Sequence, residues 1–259
     1  MRLRVLGAHN SEAKGIAMTS LLIDGVLALD AGSLSSALTL GEQAALGAVL
    51  LTHGHFDHTR DIVTVGFNQF NDPIRATLPV YGPSAALEIV QSHLLDDAFY
   101  LDMTKRPSPE RPTVALHAVA AGDRLRVAGY EVLVTASDHA VPTVGYQITD
   151  TEGRRVFYGG DSGAGGWQRW RETAPDLLVI ETTFSDDEED VARRTLHLTP
   201  RLLRAELLGL KRHWGRLPRV LIVHMDPRCE RDIRRQVSQM ASELLISVRF
   251  GFEGMVLEV

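Results

Sequence analysis

Apolar residues in this chain come in short, β-branched runs separated by turn residues, the rhythm of strands rather than of long helices. Residues 21–30 (LLIDGVLALD) predict two strands around Asp24-Gly25, a strong two-residue hairpin signal. Residues 48–52 (AVLLT) predict a buried strand that runs straight into a histidine-rich loop. Further hairpins are expected over 124–134, turning at Ala128-Gly129, and over 143–158, turning at Glu152-Gly153. Runs at 176–180, 219–224, 245–250 and 255–259 supply later strands, and the N-terminal MRLRVLGAHN reads as an opening strand.

Helical spacing appears between these runs, over 84–95 and 228–240. Thr199-Pro200 forms a cap and first-turn pair for a helix through about His213, with Leu202, Leu203, Leu207 and Leu210 on one face. Residues 102–112 hold three prolines and read as a loop, a candidate lid. Trp167, Trp170 and Tyr100 are expected in the core or on the surface rather than stacked on a base. Strands and helices mix throughout without a linker or repeat. The expectation is one α/β domain over residues 1–259.

Composition narrows the classes. Hydrophobic residues make up 44% and charged residues 23%, which excludes wholesale disorder and a disulfide-stapled miniprotein. The lone Cys229 cannot form an internal disulfide, and no apolar run suits a bilayer, so a cytoplasmic, membrane-free setting is expected. A net charge of −6 gives no global field for nucleic acid. The acidic run from Asp186 to Asp190 is expected to be a solvated loop, while His9 and Asn10 belong to a loop after the first strand.

Thr52-His53-Gly54-His55-Phe56-Asp57-His58 carries the chemistry. His53 and His55, two apart, face one side of an extended backbone, and Asp57 and His58 follow on the next turn. Imidazoles and a carboxylate at this density suit zinc, manganese or iron rather than calcium or magnesium. A second cation needs further donors at other strand ends. His139, Asp161 after Gly159-Gly160, and His224 all end apolar runs.

In this order, Asp30, His53-x-His55-x-Asp57-His58, His139, Asp161 and His224 resemble the metallo-β-lactamase superfamily across nearly the whole chain. The resemblance implies a four-layer αβ/βα sandwich with the metal site at one edge of its two sheets. It also implies two divalent ions, zinc first, with manganese or iron as alternatives. His53, His55 and His139 would hold one ion, Asp57, His58 and His224 the other, and Asp161 would bridge them. Asp30 would orient the histidine loop from behind. The flavodiiron branch has glutamate where His55 stands, and the zinc β-lactamases have cysteine where Asp161 stands, so both are disfavoured.

Glu181-Thr182-Thr183-Phe184 and His197-Leu198-Thr199-Pro200 resemble the class II cyclic-nucleotide phosphodiesterases, and a similar pair occurs in ribonuclease Z. Leu196 and Phe56 depart from the phosphodiesterase pattern, which has glycine and leucine there. The resemblance implies that His197, held by Glu181, serves the leaving group, with Asp57 in the metal-hydroxide machinery. Ser162 is a further candidate to touch the phosphate.

The expected function is a phosphodiesterase acting on a small anionic phosphodiester, preferentially a cyclic nucleotide. The alternatives are a ribonuclease Z-like RNA 3′-end nuclease and a lactonase or other ester hydrolase. The sequence disfavours nucleic acid, because only 21 residues separate His139 from Asp161, too few for a tRNA-clamping arm, and the acidic run lies between Glu181 and His197. A homodimer is left open by the resemblance.

Overall fold

Strands with two apolar faces need partners on both sides. The computed structural model of the chain describes residues 1–72 and 76–259. The first strands are β1 (Arg2–Gly7), β2 (Ser20–Ile23), β3 (Leu27–Leu29), β4 (Ala48–Leu50) and β5 (Leu78–Gly82). A short ribbon of β6 (Pro107–Ser108) and β7 (Arg111–Pro112) comes next. Then follow β8 (Val114–Ala118), β9 (Arg124–Val127), β10 (Tyr130–Ser137), β11 (Thr143–Thr149) and β12 (Arg155–Tyr158). The last four are β13 (Leu177–Glu181), β14 (Arg219–Val223), β15 (Val248–Phe250) and β16 (Val256–Glu258). One sheet runs β16-β1-β2-β3-β4-β5-β8 and the other β15-β14-β13-β12-β11-β10-β9. The stretches β3-β4-β5-β8 and β12-β13-β14-β15 are parallel.

Side-chain alternation sorts the strands into layers. Leu21, Ile23 and Leu29 of the first sheet meet Val132, Tyr146, Val179 and Leu221 of the second. The opposite face of the first sheet, with Leu22, Ala28 and Val49, packs on Leu34, Ile62 and Val65 from its helices. The outer face of the second, with Leu178, Ile180 and Ile222, packs on Leu203, Leu207, Ile233 and Val237. The order helix, sheet, sheet, helix is the expected αβ/βα sandwich.

Several local expectations change. The run Asp186–Glu188 is a 3₁₀ turn, and Glu189 opens the helix Glu189–Thr195, so the acids sit at a helix N-terminus, where the dipole favours them. They are not a bare loop. Glu189 engages Arg193 and Arg201, and the Asp186 carboxylate accepts the Arg201 backbone N–H at 2.7 Å. The stretch 102–112 is tied down: Asp102 and Met103 are buried, and the Thr113 N–H donates to Met103 and Arg106 carbonyls. The helix Asp61–Phe70 has no counterpart in the predicted elements. The strand expected over 245–250 begins only at Val248, because Leu245 is the left-handed cap of the helix Glu230–Leu244. Trp170 is fully buried, as anticipated. Among the described residues no helix is long and apolar enough to cross a membrane.

Candidate metal centre

The strands deliver their chemistry at one rim. Asp30 follows β3, the Thr52–His58 segment follows β4, His139 follows β10, Asp161 follows β12, Glu181 closes β13 and His224 follows β14. These are carboxyl-terminal strand ends, where open α/β sheets place their ligands. Three bonds bring the two sheets together there. Val144 N–H donates to Thr52 O at 3.0 Å, Tyr146 Oη to Leu51 O at 2.7 Å, and Tyr158 Oη to Asp30 Oδ2 at 2.7 Å. Gly160 allows the approach: its φ is +62°, and a Cβ there would lie 2.8 Å from Thr52 Cβ.

The donor atoms form two sets with one shared member. His53 Nε2 and His139 Nε2 lie 2.9 and 3.4 Å from His55 Nδ1, and 3.7 and 3.8 Å from Asp161 Oδ2. On the other side, His58 Nε2 and His224 Nε2 lie 3.4 and 3.2 Å from Asp57 Oδ2. The same two atoms lie 3.5 and 3.3 Å from Asp161 Oδ2. Donors about 2.1 Å from a tetrahedral ion sit about 3.4 Å apart, so both sets have the right spread. His58 Nε2 and Asp161 Oδ1 are buried without hydrogen-bond partners, which in a polar pocket is the mark of a cation seat. The cluster is able to bind metal ions.

The far nitrogens of four imidazoles are held in place. His58 Nδ1 meets Asp30 Oδ2 at 2.7 Å, His53 Nδ1 meets Thr52 Oγ1 at 3.0 Å, His139 Nδ1 meets the Leu196 carbonyl at 3.1 Å, and His224 Nδ1 meets Thr183 Oγ1 at 2.8 Å. Asp30 and His224 both take the left-handed backbone, φ 57° and 58°, at the ends of central strands. Such conformations persist where surrounding structure over-determines them.

Burial, with His58 beside it, keeps His53 well below the usual histidine range, and burial lowers His55 and His139 as well. Burial thus favours the neutral form of these three ligand-type rings, the form that offers a lone pair. Burial opposes charge on Asp161 too, but His224 and His58 overcome it and hold the carboxyl well below its ordinary value. Asp57 is lowered in the same way by His58 and His224.

His197 stands at the open side, its ring 4.9 Å from that of His139 and 5.4 Å from that of His224. Its Nδ1 donates to Glu181 Oε1 at 2.7 Å, which leaves Nε2 for the site. Burial works against a charged ring there, but Glu181 prevails and raises the pKa to about 9. Glu181 itself is buried and accepts N–H bonds from Ser162, Thr183 and Leu198 at 3.0 to 3.1 Å.

All nine site residues anticipated from sequence thus converge at one rim. His9 does not join them: its ring bonds Glu253 at 2.9 Å and Glu230 at 3.3 Å. Ser162 Oγ is buried and has no partner, while its N–H serves Glu181. Sequence reasoning missed the supports Thr52, Thr183, Tyr158 and Glu206. Glu206 was legible as a carboxylate on the apolar face of the helix Pro200–Trp214. It accepts the Gly165 and Trp167 N–H groups at 2.6 and 2.7 Å and so pins the loop after Asp161.

The sequence profile described as Beta-lactamase superfamily domain matches residues 19–225. Among curated proteins, ribonuclease Z of Myxococcus xanthus (strain DK1622) is 25% identical over 281 aligned residues, spanning 88% of this chain and 86% of its own length. Among solved structures, unliganded yeast PDE1 superposes with a TM-score of 0.84 at 14% identity, over 100% of this chain and 99% of its own. The short form of human tRNase Z superposes with a TM-score of 0.67 at 17% identity, over 100% and 99%. At these identities the two structures speak to the fold.

Proposed function

The chain belongs to the beta-lactamase superfamily, and from that premise we propose that it is a dinuclear metal-dependent phosphodiesterase built as a single hydrolase domain. The observation that carries this reading is the pairing of two donor sets around Asp161 Oδ2 with a Glu181-held His197 beside them. His53, His55, His139 and Asp161 would hold one ion, and Asp57, His58, His224 and Asp161 the other. Zinc suits this mixed imidazole and carboxylate set, as do manganese and iron. When bound, such ions supply Lewis acidity toward a phosphate and lower the pKa of a water.

The chain's own residues do the rest. Phosphodiester cleavage expels an alkoxide, a poor leaving group unless it is protonated. Glu181 accepts from His197 Nδ1–H and favours the charged ring, so the proton available for transfer is the one on Nε2, on a ring 4.9 Å from that of His139 and 5.4 Å from that of His224. Glu181 also accepts from the Ser162, Thr183 and Leu198 N–H groups and from the Thr183 hydroxyl, so its oxygens are committed to holding His197 in place. Asp161 and Asp57 would offset only part of the charge of two bound dications, so the loaded site would be positive and suited to one phosphodiester anion.

Two substrate readings each have support. A cyclic nucleotide is favoured by the HLTP element at His197 and by the short β11–β12 connection between His139 and Asp161. RNA is favoured by the similarity to ribonuclease Z over 88% of this chain. Setting nucleic acid aside finds no support. Its electrostatic ground is weak as well, because the acids at 186–190 are partly taken up by Arg193 and Arg201. Offering the metal-loaded chain 3′,5′-cyclic AMP and a precursor tRNA with a 3′ trailer tests the proposal. Hydrolysis of either supports phosphodiester chemistry and chooses between the readings. With two ions bound, turnover of neither overturns it.

A further inference from the structure

The two halves of the centre are braced by the same device. On the first sheet, Asp30 reaches His58 Nδ1 directly at 2.7 Å and accepts the Thr52 hydroxyl at 2.9 Å, and that hydroxyl lies 3.0 Å from His53 Nδ1. On the second, Glu181 reaches His197 Nδ1 directly at 2.7 Å and accepts the Thr183 hydroxyl at 2.7 Å, and that hydroxyl lies 2.8 Å from His224 Nδ1. Each buried carboxylate serves one imidazole by contact and another through a threonine.

A hydroxyl has one proton to give, and an ionised carboxylate can only accept. Thr183 Oγ1 therefore donates to Glu181 Oε2 and accepts from His224 Nδ1–H. That fixes the His224 tautomer and leaves the Nε2 lone pair facing Asp57 Oδ2 and Asp161 Oδ2, at 3.2 and 3.3 Å. The 3.3 Å approach of His197 Nδ1 to the same hydroxyl is secondary to its 2.7 Å bond with Glu181.

We infer that Thr183 is a positioning residue whose hydroxyl couples Glu181 to His224 and so controls occupancy of the Asp57–His58–His224 cation seat. The inference rests on the metal-centre reading and deepens it: one carboxylate orients the proton donor with one oxygen and a metal ligand with the other. Without the hydroxyl, the His224 Nδ1–H is a buried donor without a partner. The ring can then adopt the other tautomer, whose Nε2–H points into the cation seat. The backbone role of Thr183 is separate, since its N–H and carbonyl bond Leu198 and Asp226 at 3.1 and 3.0 Å.

Thr183→Val keeps the β-branch and both backbone bonds and removes only the hydroxyl; Thr183→Ser keeps the hydroxyl. Zinc affinity at each seat, read by competition with a chelator, is the test. Wild type should bind two ions. Thr183→Val should lose about 10–100-fold at one seat and hold the other nearly unchanged, and Thr183→Ser should recover most of the loss. Thr52→Val should weaken the other seat instead. In metal-free wild type, ¹⁵N resonances of His224 should report the proton on Nδ1, a readout that stands even if the valine variant fails to fold. Two tight seats in Thr183→Val, equal weakening of both, or a wild-type His224 protonated on Nε2 would overturn the inference. A wild type that binds fewer than two ions overturns the metal-centre reading, and this inference with it.

Discussion

Glu181 Oε1 and His197 Nδ1 stand 2.7 Å apart, with the carboxylate buried and the imidazole at the open side of the rim. Burial alone would discharge the ring; the carboxylate keeps it charged and raises its pKa from 6.5 to about 9. The protonated form therefore persists through neutral pH and is lost as pH rises through about 9. Bound cations repel the imidazolium and draw that limb downward. The kcat/KM profile should accordingly fall on the alkaline side between 6.5 and about 9. Glu181→Gln removes the raising charge, and its limb should lie at least about one pH unit lower. Superimposable alkaline limbs in the two proteins would show that Glu181 does not set the charge on His197.

Asp161 Oδ2 lies within 3.8 Å of the Nε2 atoms of His53, His139, His58 and His224. A donor shared by two seats cannot be removed from one alone. Asp161→Ala is expected to lower the metal content from two ions per chain to less than one, whereas His53→Ala should lose one ion and keep the other. Elemental analysis after dialysis distinguishes the cases, and two retained ions in Asp161→Ala would exclude the bridge.

Gly160 combines a φ of +62° with a Cβ position 2.8 Å from Thr52 Cβ, and Thr52 aims His53. Gly160→Ala should cost about 1–3 kcal/mol in denaturant unfolding, through backbone strain and displacement of the Thr52 side chain. A change below about 0.5 kcal/mol would mean that the two sheets can part at this rim without penalty.

Much of the centre was legible because its donors are consecutive or end apolar runs. The spacing of His53, His55, Asp57 and His58 needs no tertiary information, and His139, Asp161 and His224 each follow a recognisable strand. The threonine supports were not legible. Thr52 and Thr183 resemble ordinary strand-end threonines until β4 and β13 bring each beside a carboxylate and an imidazole. The helix Asp61–Phe70 was hidden by β-branched residues and Gly66, which lower helix propensity. It forms because Ile62 and Val65 pack on the first sheet, and Gly66 makes room for Val114 and Met103. The acidic run misled by composition alone, since its charge is offset by Arg193, Arg201 and a helix N-terminus that sequence order does not reveal.

The most direct measurement is the effect of His197→Ala on two phosphodiesters with different leaving groups, in protein shown to hold two ions. Bis(4-nitrophenyl) phosphate expels a phenolate that needs no proton, whereas 3′,5′-cyclic AMP and precursor tRNA expel alkoxides that do. The expected result is a fall in kcat of about 10²–10⁴ on the alkoxide substrate the wild type turns over, with little change on the nitrophenyl ester. Equal losses on both substrates, or no loss on either, would contradict a proton-donating His197.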